Sequence, residues 1–192
     1  MNLPNKITIT RILMIPLVMF FYLANFIPWG KFVAAIIFCI AAFTDFLDGY
    51  LARKNNMVTN LGKFLDPIAD KVLVMAALLL IVADGTVIAP YGVIMCSIIL
   101  ARELIVSGFR CVAASSGLVL AADMWGKVKT TVTDIAIPFY MVYAWLVADK
   151  ISTNGTVLGI FKWTSFALLV AATVLTIISG LNYIIKNRKV LK

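Results

Sequence analysis

Runs of about twenty apolar residues recur along this chain, and no other sequence feature constrains its fold as much. Each run is long enough for an α-helix to cross the hydrocarbon core of a bilayer. Because backbone polar groups must bond to one another in lipid, such runs fold as helices. The 192 residues are 62% hydrophobic and only 14% charged, well below the charge of a soluble domain. We therefore predict an all-α, polytopic integral membrane protein that forms one domain over residues 1–192.

Polar turns divide the chain into six predicted transmembrane helices, preceded by a short interfacial segment at 1–11. The predicted spans cover about 12–27, 31–51, the 62–66 region to 82, 86–114, 130–147 and 161–185, and residues 115–129 are predicted to form a loop. Six spans place both termini on one side of the membrane. All lysines and arginines except Lys31, Lys150 and Lys162 fall on that side, so we predict that it is cytoplasmic.

Four carboxylates lie where the second and third spans face each other across a turn, namely Asp45, Asp48, Asp66 and Asp70. A charge inside a membrane segment costs about 2.5–3.5 kcal/mol on insertion scales, so four acids together need a partner. Carboxylates without Cys or His favour Mg²⁺ or Mn²⁺ over zinc, and four of them can hold two ions. Such a pair of ions suits phosphoryl transfer, because it stabilises both the entering and the leaving oxygen.

Two alternatives to a metal-dependent enzyme stay open. The acids could pair only with neighbouring cations, or they could form an ion or proton pathway. A pathway is expected to place its carboxylates near the bilayer midplane, whereas these acids crowd one interface. That position favours an enzyme over a transporter. The net charge of +8 does not indicate a nucleic-acid partner, since no basic stretch is interleaved with solvent-facing aromatic residues.

Helical spacing places the acids of the second span on a stripe with small residues. At 100° per residue, Asp45 and Asp48 fall on the same side as Gly49, Ala52 and Arg53. Gly49 and Ala52 remove side-chain bulk from this stripe, so a ligand can approach the backbone. The sequence therefore predicts a binding surface along the end of this helix.

Across the turn, Gly62, Asp66 and Asp70 repeat at four-residue intervals. Pro67 leaves two possibilities for this segment: a helix that begins with Asp66 as its N-cap, or an earlier helix that is kinked at Pro67. Both possibilities direct the two acids at the facing stripe.

The pattern from Asp45 to Asp70 resembles, position by position, the signature of the CDP-alcohol phosphotransferase family. The resemblance covers the whole chain and implies that the hydroxyl of a small alcohol attacks the β-phosphorus of a CDP-linked donor, releasing CMP. It also implies two Mg²⁺ or Mn²⁺ ions on the four aspartates, with Asp70 as general base on the acceptor hydroxyl. By the same resemblance, room for the cytidine comes from Gly49, Ala52 and Gly62, and the donor phosphates contact Arg53.

Features outside the signature bear on the acceptor. The Arg102–Arg110 and Trp125–Thr130 segments, and the Asn5-x2-Thr8-x2-Arg11 opening, resemble those of bacterial members that make phosphatidylglycerophosphate. Cations suited to an acceptor phosphate are Arg110, Lys127, Lys129 and Arg11, and Asn5 and Thr8 are assigned to the donor side. The alternatives are anchoring at the cytoplasmic interface for these cations, and an intramembrane ion pair for Arg102 and Glu103.

The resemblance therefore implies transfer of a phosphatidyl group from CDP-diacylglycerol to sn-glycerol 3-phosphate by a homodimer in a bacterial plasma membrane. Inositol phosphate, serine and phosphatidylglycerol remain alternative acceptors, and a cation-coupled transporter is a remote alternative. Among the other polar residues, Asp123 and Asp134 are expected to be solvated or helix-end acids. Cys39, Cys96 and Cys111 are expected to be reduced packing residues within apolar stretches.

Overall fold

The computed structural model describes residues 3–55, 60–85, 91–115, 124–150 and 155–187. Within these ranges it gives the backbone but not the side chains of 3–7, 45–55, 60–67, 70 and 115. The described residues form six helices: α1 (Leu3–Leu23), α2 (Gly30–Asn55), α3 (Asn60–Asp84), α4 (Tyr91–Ser115), α5 (Met124–Ala148) and α6 (Gly155–Lys186). Over these described ranges, the prediction of an all-helical fold with six helices is confirmed.

Three of the helices are long and apolar enough to cross a bilayer: Tyr91–Ala114, Met124–Ala148 and Gly155–Lys186. In α1 and α2 the described apolar stretches are shorter, Thr8–Leu23 and Gly30–Thr44. Large apolar side chains cover the outer faces, including Leu13, Phe43 and Leu104. Helices that are apolar on all sides are typical of a bundle surrounded by lipid. The six-span topology stays a prediction.

The core lies between helices that are distant in sequence. α1 packs on α2 and α3, and α5 packs on α6 and α2, while α4 joins the bundle through α6 and α3. Fully buried side chains at the centre include Phe38, Leu78, Ile99 and Met141, which come from α2, α3, α4 and α5. Because apolar attraction is weak in lipid, close packing of such residues supplies much of the cohesion.

One end of the bundle is formed by the α1–α2 turn and the last residues of α3 and α5. The backbone N–H of Trp29 donates to Asp149 Oδ2 at 2.8 Å, and Lys31 pairs with Asp84. The rings of Trp29 and Trp145 lie 4.8 Å apart. Lys31, Asp84 and Asp149 thus lie at one end of the bundle. This agrees with the predicted spans, which place all three on the side opposite the termini. Which face of the membrane this end meets stays a prediction.

Two of the differences between the helix boundaries and the sequence predictions bear on the site. α3 begins at Asn60 and is helical through Pro67, so the possibility that a helix starts at Asp66 is wrong. α5 begins at Met124, so the predicted loop over 115–129 is wrong from Met124 onward. The residues that looked like a loop are the polar first turns of a helix whose apolar part starts later. This extension fixes the directions of Lys127 and Lys129.

The three cysteines are free, as predicted, but only Cys96 is buried. Cys39 and Cys111 are exposed on the outer faces of α2 and α4, so the prediction that they pack inside the bundle is wrong. An apolar run does not show which of its faces meets the protein, because both the core and lipid accept apolar side chains.

Candidate active site

The four acidic residues of the signature all lie on helical backbone. Asp45 and Asp48 belong to the last turns of α2, and Asp66 and Asp70 to the first turns of α3. A spacing of three or four residues on a helix places each pair on one face. The structure does not describe these side chains or those of Ala52 and Arg53, nor the surroundings of Gly49 and Gly62. Their predicted roles are therefore not tested by the structure.

A cavity of about 170 Å³ opens beside this segment, between α3, α4, α5 and α6. The residues that line it are Lys71, Arg102, Glu103, Val106, Ser107, Arg110, Gly126, Lys127, Thr130 and Tyr183. Cations outnumber acids on this wall, which makes the cavity suited to an anion. Two cations predicted to bind the acceptor, Arg110 and Lys127, line this cavity together. We call it the cationic cavity.

Arg110 comes from α4 and Lys127 from α5, and both are exposed. The Nε–H of Arg110 donates to the hydroxyl of Tyr183 at 3.2 Å, and its Cζ lies 5.4 Å from the centroid of that ring. Tyr183 is itself buried, and its ring meets Phe109 edge to face at 6.0 Å. Arg110 is therefore held by a fixed ring while its guanidinium remains accessible.

Arg102 is held more tightly than Arg110. Its Nη2 donates to Ser179 Oγ at 2.6 Å, and its Nη1 lies 3.3 Å from Glu103 Oε1. The predicted ion pair between Arg102 and Glu103 is thus present. It does not exclude a role in binding, because Arg102 also lines the cationic cavity.

Lys129 also pairs with Glu103, through a hydrogen bond from its ammonium to Oε1. Lys129 is only 3% exposed and lines a smaller, deeper cavity of about 30 Å³ with Asp134 and Thr133. The structure therefore places Lys129 behind the cationic cavity rather than on its wall. Asp134 is also half-buried beside this deeper cavity, so the expectation that it is solvated or near a helix end is wrong.

Lys71 connects the cationic cavity to the acid-bearing helix. Its ammonium donates to Ser107 Oγ, and that hydroxyl donates to the carbonyl oxygen of Glu103 at 2.5 Å. Lys71 lines both cavities and directly follows Asp70 on α3. The backbone of Asp70 is therefore one residue away from the cavity wall.

Thr8 and Arg11 lie elsewhere. Both are buried on α1, with Arg11 only 1% exposed, and α1 packs on α2 and α3. Such burial does not fit an Arg11 that anchors the chain in the headgroup layer. Neither residue is among those that line the cationic cavity, and α1, which carries them, packs on the two acid-bearing helices. Asn5 lies outside the described side chains.

Sequence reasoning missed three of the polar residues around the cationic cavity: Lys71, Ser179 and Tyr183. Ser179, Gly180 and Tyr183 follow one another at helical spacing on a buried face of α6. Small and polar residues at such spacing in an apolar helix mark a contact with another helix. That signal was available, but it does not show which helix is contacted.

The amino-acid sequence matches the family model for CDP-alcohol phosphatidyltransferase over residues 1–178. A protein of Bacillus subtilis (strain 168) named CDP-diacylglycerol–glycerol-3-phosphate 3-phosphatidyltransferase is 42% identical over 202 aligned positions, covering 100% of this chain and 97% of that protein. Proteins of the same name from Escherichia coli (strain K12) and Shigella boydii serotype 4 (strain Sb227) are 38% identical over 187 positions, covering 95% of this chain and 93% of each relative.

Proposed function

Because this chain belongs to the CDP-alcohol phosphatidyltransferase family, we propose that it transfers the phosphatidyl group of CDP-diacylglycerol to sn-glycerol 3-phosphate. The products are phosphatidylglycerophosphate and CMP. Relatives that carry the name of this reaction align with the chain over nearly its full length. The observation in the structure that supports the acceptor is the cationic cavity, whose lining includes Lys71, the residue that follows Asp70 on α3.

The protein is an integral membrane protein, since both its family and its long apolar helices indicate that it lies in a membrane. We propose in addition that α1, α2 and α3 cross the membrane, which gives six spans. Both termini and the site would then face the cytoplasm of a bacterial cell, the side on which the lysines and arginines are concentrated. A homodimer is also proposed, on the family resemblance.

The donor would bind along the end of α2 and the start of α3. The ligating side chains at this site suit hard divalent cations, because they offer only carboxylate oxygens. They belong to four residues that lie on helical backbone, Asp45, Asp48, Asp66 and Asp70. Two Mg²⁺ or Mn²⁺ ions held there would supply positive charge to the pyrophosphate oxygens. Gly49, Ala52 and Gly62 would leave room for the cytidine, and Arg53 would contact the donor phosphates. Asn5 and Thr8 on α1 would complete the donor side.

The acceptor would bind in the cationic cavity. Its phosphate would accept charge-assisted hydrogen bonds from Arg110 and Lys127, with Arg102 and Lys71 adding positive charge nearby. Its free primary hydroxyl would point towards Asp70. Lys129 and Arg11 do not line this cavity, so any effect they have on the acceptor passes through other residues, such as Glu103 for Lys129.

Asp70 would act as the general base. Its carboxylate would take the proton of the acceptor hydroxyl while that oxygen forms a bond to the β-phosphorus of the donor. The bond between this phosphorus and the bridging oxygen breaks, and CMP leaves with the electron pair. A positioned general base typically contributes about 10²–10⁴-fold to a rate.

The charge of the cavity favours glycerol 3-phosphate over serine and phosphatidylglycerol. Serine has no phosphate to offer Arg110 and Lys127. Phosphatidylglycerol has a singly charged phosphodiester, which offers these cations less negative charge than a phosphate monoester does. Inositol phosphate is bulkier than glycerol 3-phosphate. The family assignment leaves the transporter alternative without support.

An acceptor competition assay tests this proposal. Purified protein in detergent with CDP-diacylglycerol and Mg²⁺ should release CMP when sn-glycerol 3-phosphate is present. Mass spectrometry should detect phosphatidylglycerophosphate as the lipid product. Equal or faster CMP release with serine, inositol phosphate or phosphatidylglycerol would contradict the assigned acceptor. Activity that is unchanged in excess chelator would contradict the metal dependence.

A further inference from the structure

One buried face of α6 touches both arginines of the cationic cavity. The residues of this face are Ser179, Gly180 and Tyr183, and all three are buried. Neither the acidic signature nor the segments that resemble acceptor-binding regions include any of them. We call these three residues the α6 face.

The α6 face forms a narrow slot for Arg102. Ser179 Oγ accepts a hydrogen bond from Nη2 at 2.6 Å, and a Cβ on Gly180 would lie 3.1 Å from Arg102 Cγ. A Cβ on Gly126 of α5 would lie 3.7 Å from the same Nη2 and 3.8 Å from Ser179 Oγ. Two glycines from different helices therefore enclose the side chain. Its guanidinium has little freedom to change rotamer.

Tyr183 holds Arg110 in another way. It accepts the Nε–H at 3.2 Å and places its ring 5.4 Å from Cζ. A guanidinium carries four N–H donors besides Nε–H, so this bond leaves the forked end of Arg110 for a phosphate. Tyr183 is 2% exposed and packs edge to face on Phe109, so its ring is held in place and provides a fixed contact for Arg110.

We propose that Ser179, Gly180 and Tyr183 are positioning residues that preset Arg102 and Arg110 for the acceptor phosphate. This inference rests on the proposed function and adds that α6 determines acceptor affinity by acting through the two arginines. An arginine loses rotamer entropy when it binds a ligand, and a side chain held in place beforehand loses less. The phosphate is bound equally before and during transfer, so the α6 face affects KM for the acceptor and leaves kcat unchanged.

Tyr183→Phe provides the direct test, since it removes the hydroxyl and keeps the ring. The expected result is a rise of about fivefold in KM for sn-glycerol 3-phosphate, the typical effect of one hydrogen bond. KM for CDP-diacylglycerol and kcat should stay at their wild-type values. Tyr22→Phe is the matched control, because Tyr22 is equally buried but lies near Lys31 at the other end of the bundle. It should change none of the three constants.

A double-mutant cycle separates positioning from direct contact. Arg110→Lys removes the Nε–H that Tyr183 accepts, so adding Tyr183→Phe to Arg110→Lys should raise KM no further. If the rise in KM of the double variant instead equals the product of the two single-variant rises, Tyr183 acts independently of Arg110. That result would overturn the positioning role.

Ser179→Ala is a second, independent variant in case Tyr183→Phe lowers the yield of folded protein. It should raise the acceptor KM about two- to threefold through Arg102, again without changing the donor KM. Equal rises in both KM values, or wild-type values in both variants, would overturn the inference while leaving the proposed function standing. A wild-type protein that transfers nothing to sn-glycerol 3-phosphate would instead overturn the proposed function, and this inference with it.

Discussion

The two ends of this bundle handle charge in opposite ways. At one end, Lys31 pairs with Asp84, and Asp149 accepts the N–H of Trp29 beside the ring of Trp145. At the other, an open cavity is lined by Arg102, Arg110, Lys71 and Lys127, with Glu103 as the one acid among the lining residues whose side chains the structure describes. We call these the Trp29 end and the Arg102 end. Both combine polar residues with an apolar bundle, but among the described side chains only the second end has an excess of positive charge.

The difference shows which polar residues in a membrane protein point to function. Tryptophan rings with paired charges are typical of a helix end in the headgroup layer, where they anchor the chain. Cations around a cavity repel one another, and an anionic ligand that binds there offsets this cost in free energy. A charge excess next to a cavity is therefore a stronger sign of a binding site than the number of charges.

The largest expected effect comes from Asp70→Asn, which tests whether the Arg102 end is the reacting end. Removal of the general base should lower kcat by about 10²–10⁴-fold. The protein should stay folded, as judged by its thermal unfolding, and should still bind CDP-diacylglycerol. CMP release at the wild-type rate would refute the assignment of Asp70 as base.

Glu103→Gln should give the next largest effect, and it is a loss of stability. The substitution removes the negative charge shared by Lys129 and Arg102, both mostly buried, and breaking a buried pair in this way costs about 3–5 kcal/mol. Thermal unfolding in detergent measures the loss. We also expect a higher KM for sn-glycerol 3-phosphate, because Arg102 loses its charge pairing with the Glu103 carboxylate.

Asp84→Asn is the matched control from the Trp29 end. It breaks the ion pair with Lys31, which is buried to a similar extent, and it should also lower the thermal stability. It should not change the KM of either substrate. An acceptor KM that rises equally in both variants would show that the two ends do not differ in the way proposed.

Lys127→Ala should have a smaller effect that is confined to the acceptor. One charge-assisted hydrogen bond is lost at an exposed position, so KM for sn-glycerol 3-phosphate should rise about tenfold at constant kcat. Lys150→Ala, an exposed lysine beside Asp149 at the Trp29 end, should leave the constants unchanged. A similar rise in the KM for CDP-diacylglycerol would indicate general anchoring instead of acceptor binding.

How far the sequence predicts this site depends on which physical signal each residue carries. The number of helices and the shared end of Lys31, Asp84 and Asp149 follow from hydrophobic length and alternating direction. Arg110 and Lys127 could also be paired from sequence, because both belong to the same predicted side. These features depend on a residue's position along the membrane normal, which hydropathy reports well.

The direction of a side chain around its helix is much harder to predict. Lys127 and Lys129 look equivalent if residues 115–129 form a loop. In a helix they point about 200° apart, so only Lys127 reaches the cationic cavity while Lys129 pairs with Glu103. The α6 face was missed for the same reason, since apolar residues surround it on both the buried and the outer sides of α6.

The smallest expected effect is that of Asp149→Asn, which tests whether the Trp29 end has any part in acceptor binding. Trp29 has a φ of 66°, in the left-handed region that residues other than glycine rarely adopt, and its N–H donates to Asp149. This exposed bond helps to hold a strained turn, but an asparagine oxygen can accept it as well. We expect a change in unfolding free energy within about 0.5 kcal/mol and unchanged kinetic constants. If Asp149→Asn instead raised the KM for sn-glycerol 3-phosphate, the Trp29 end would be coupled to acceptor binding, and the division between an anchoring end and a reacting end would fail.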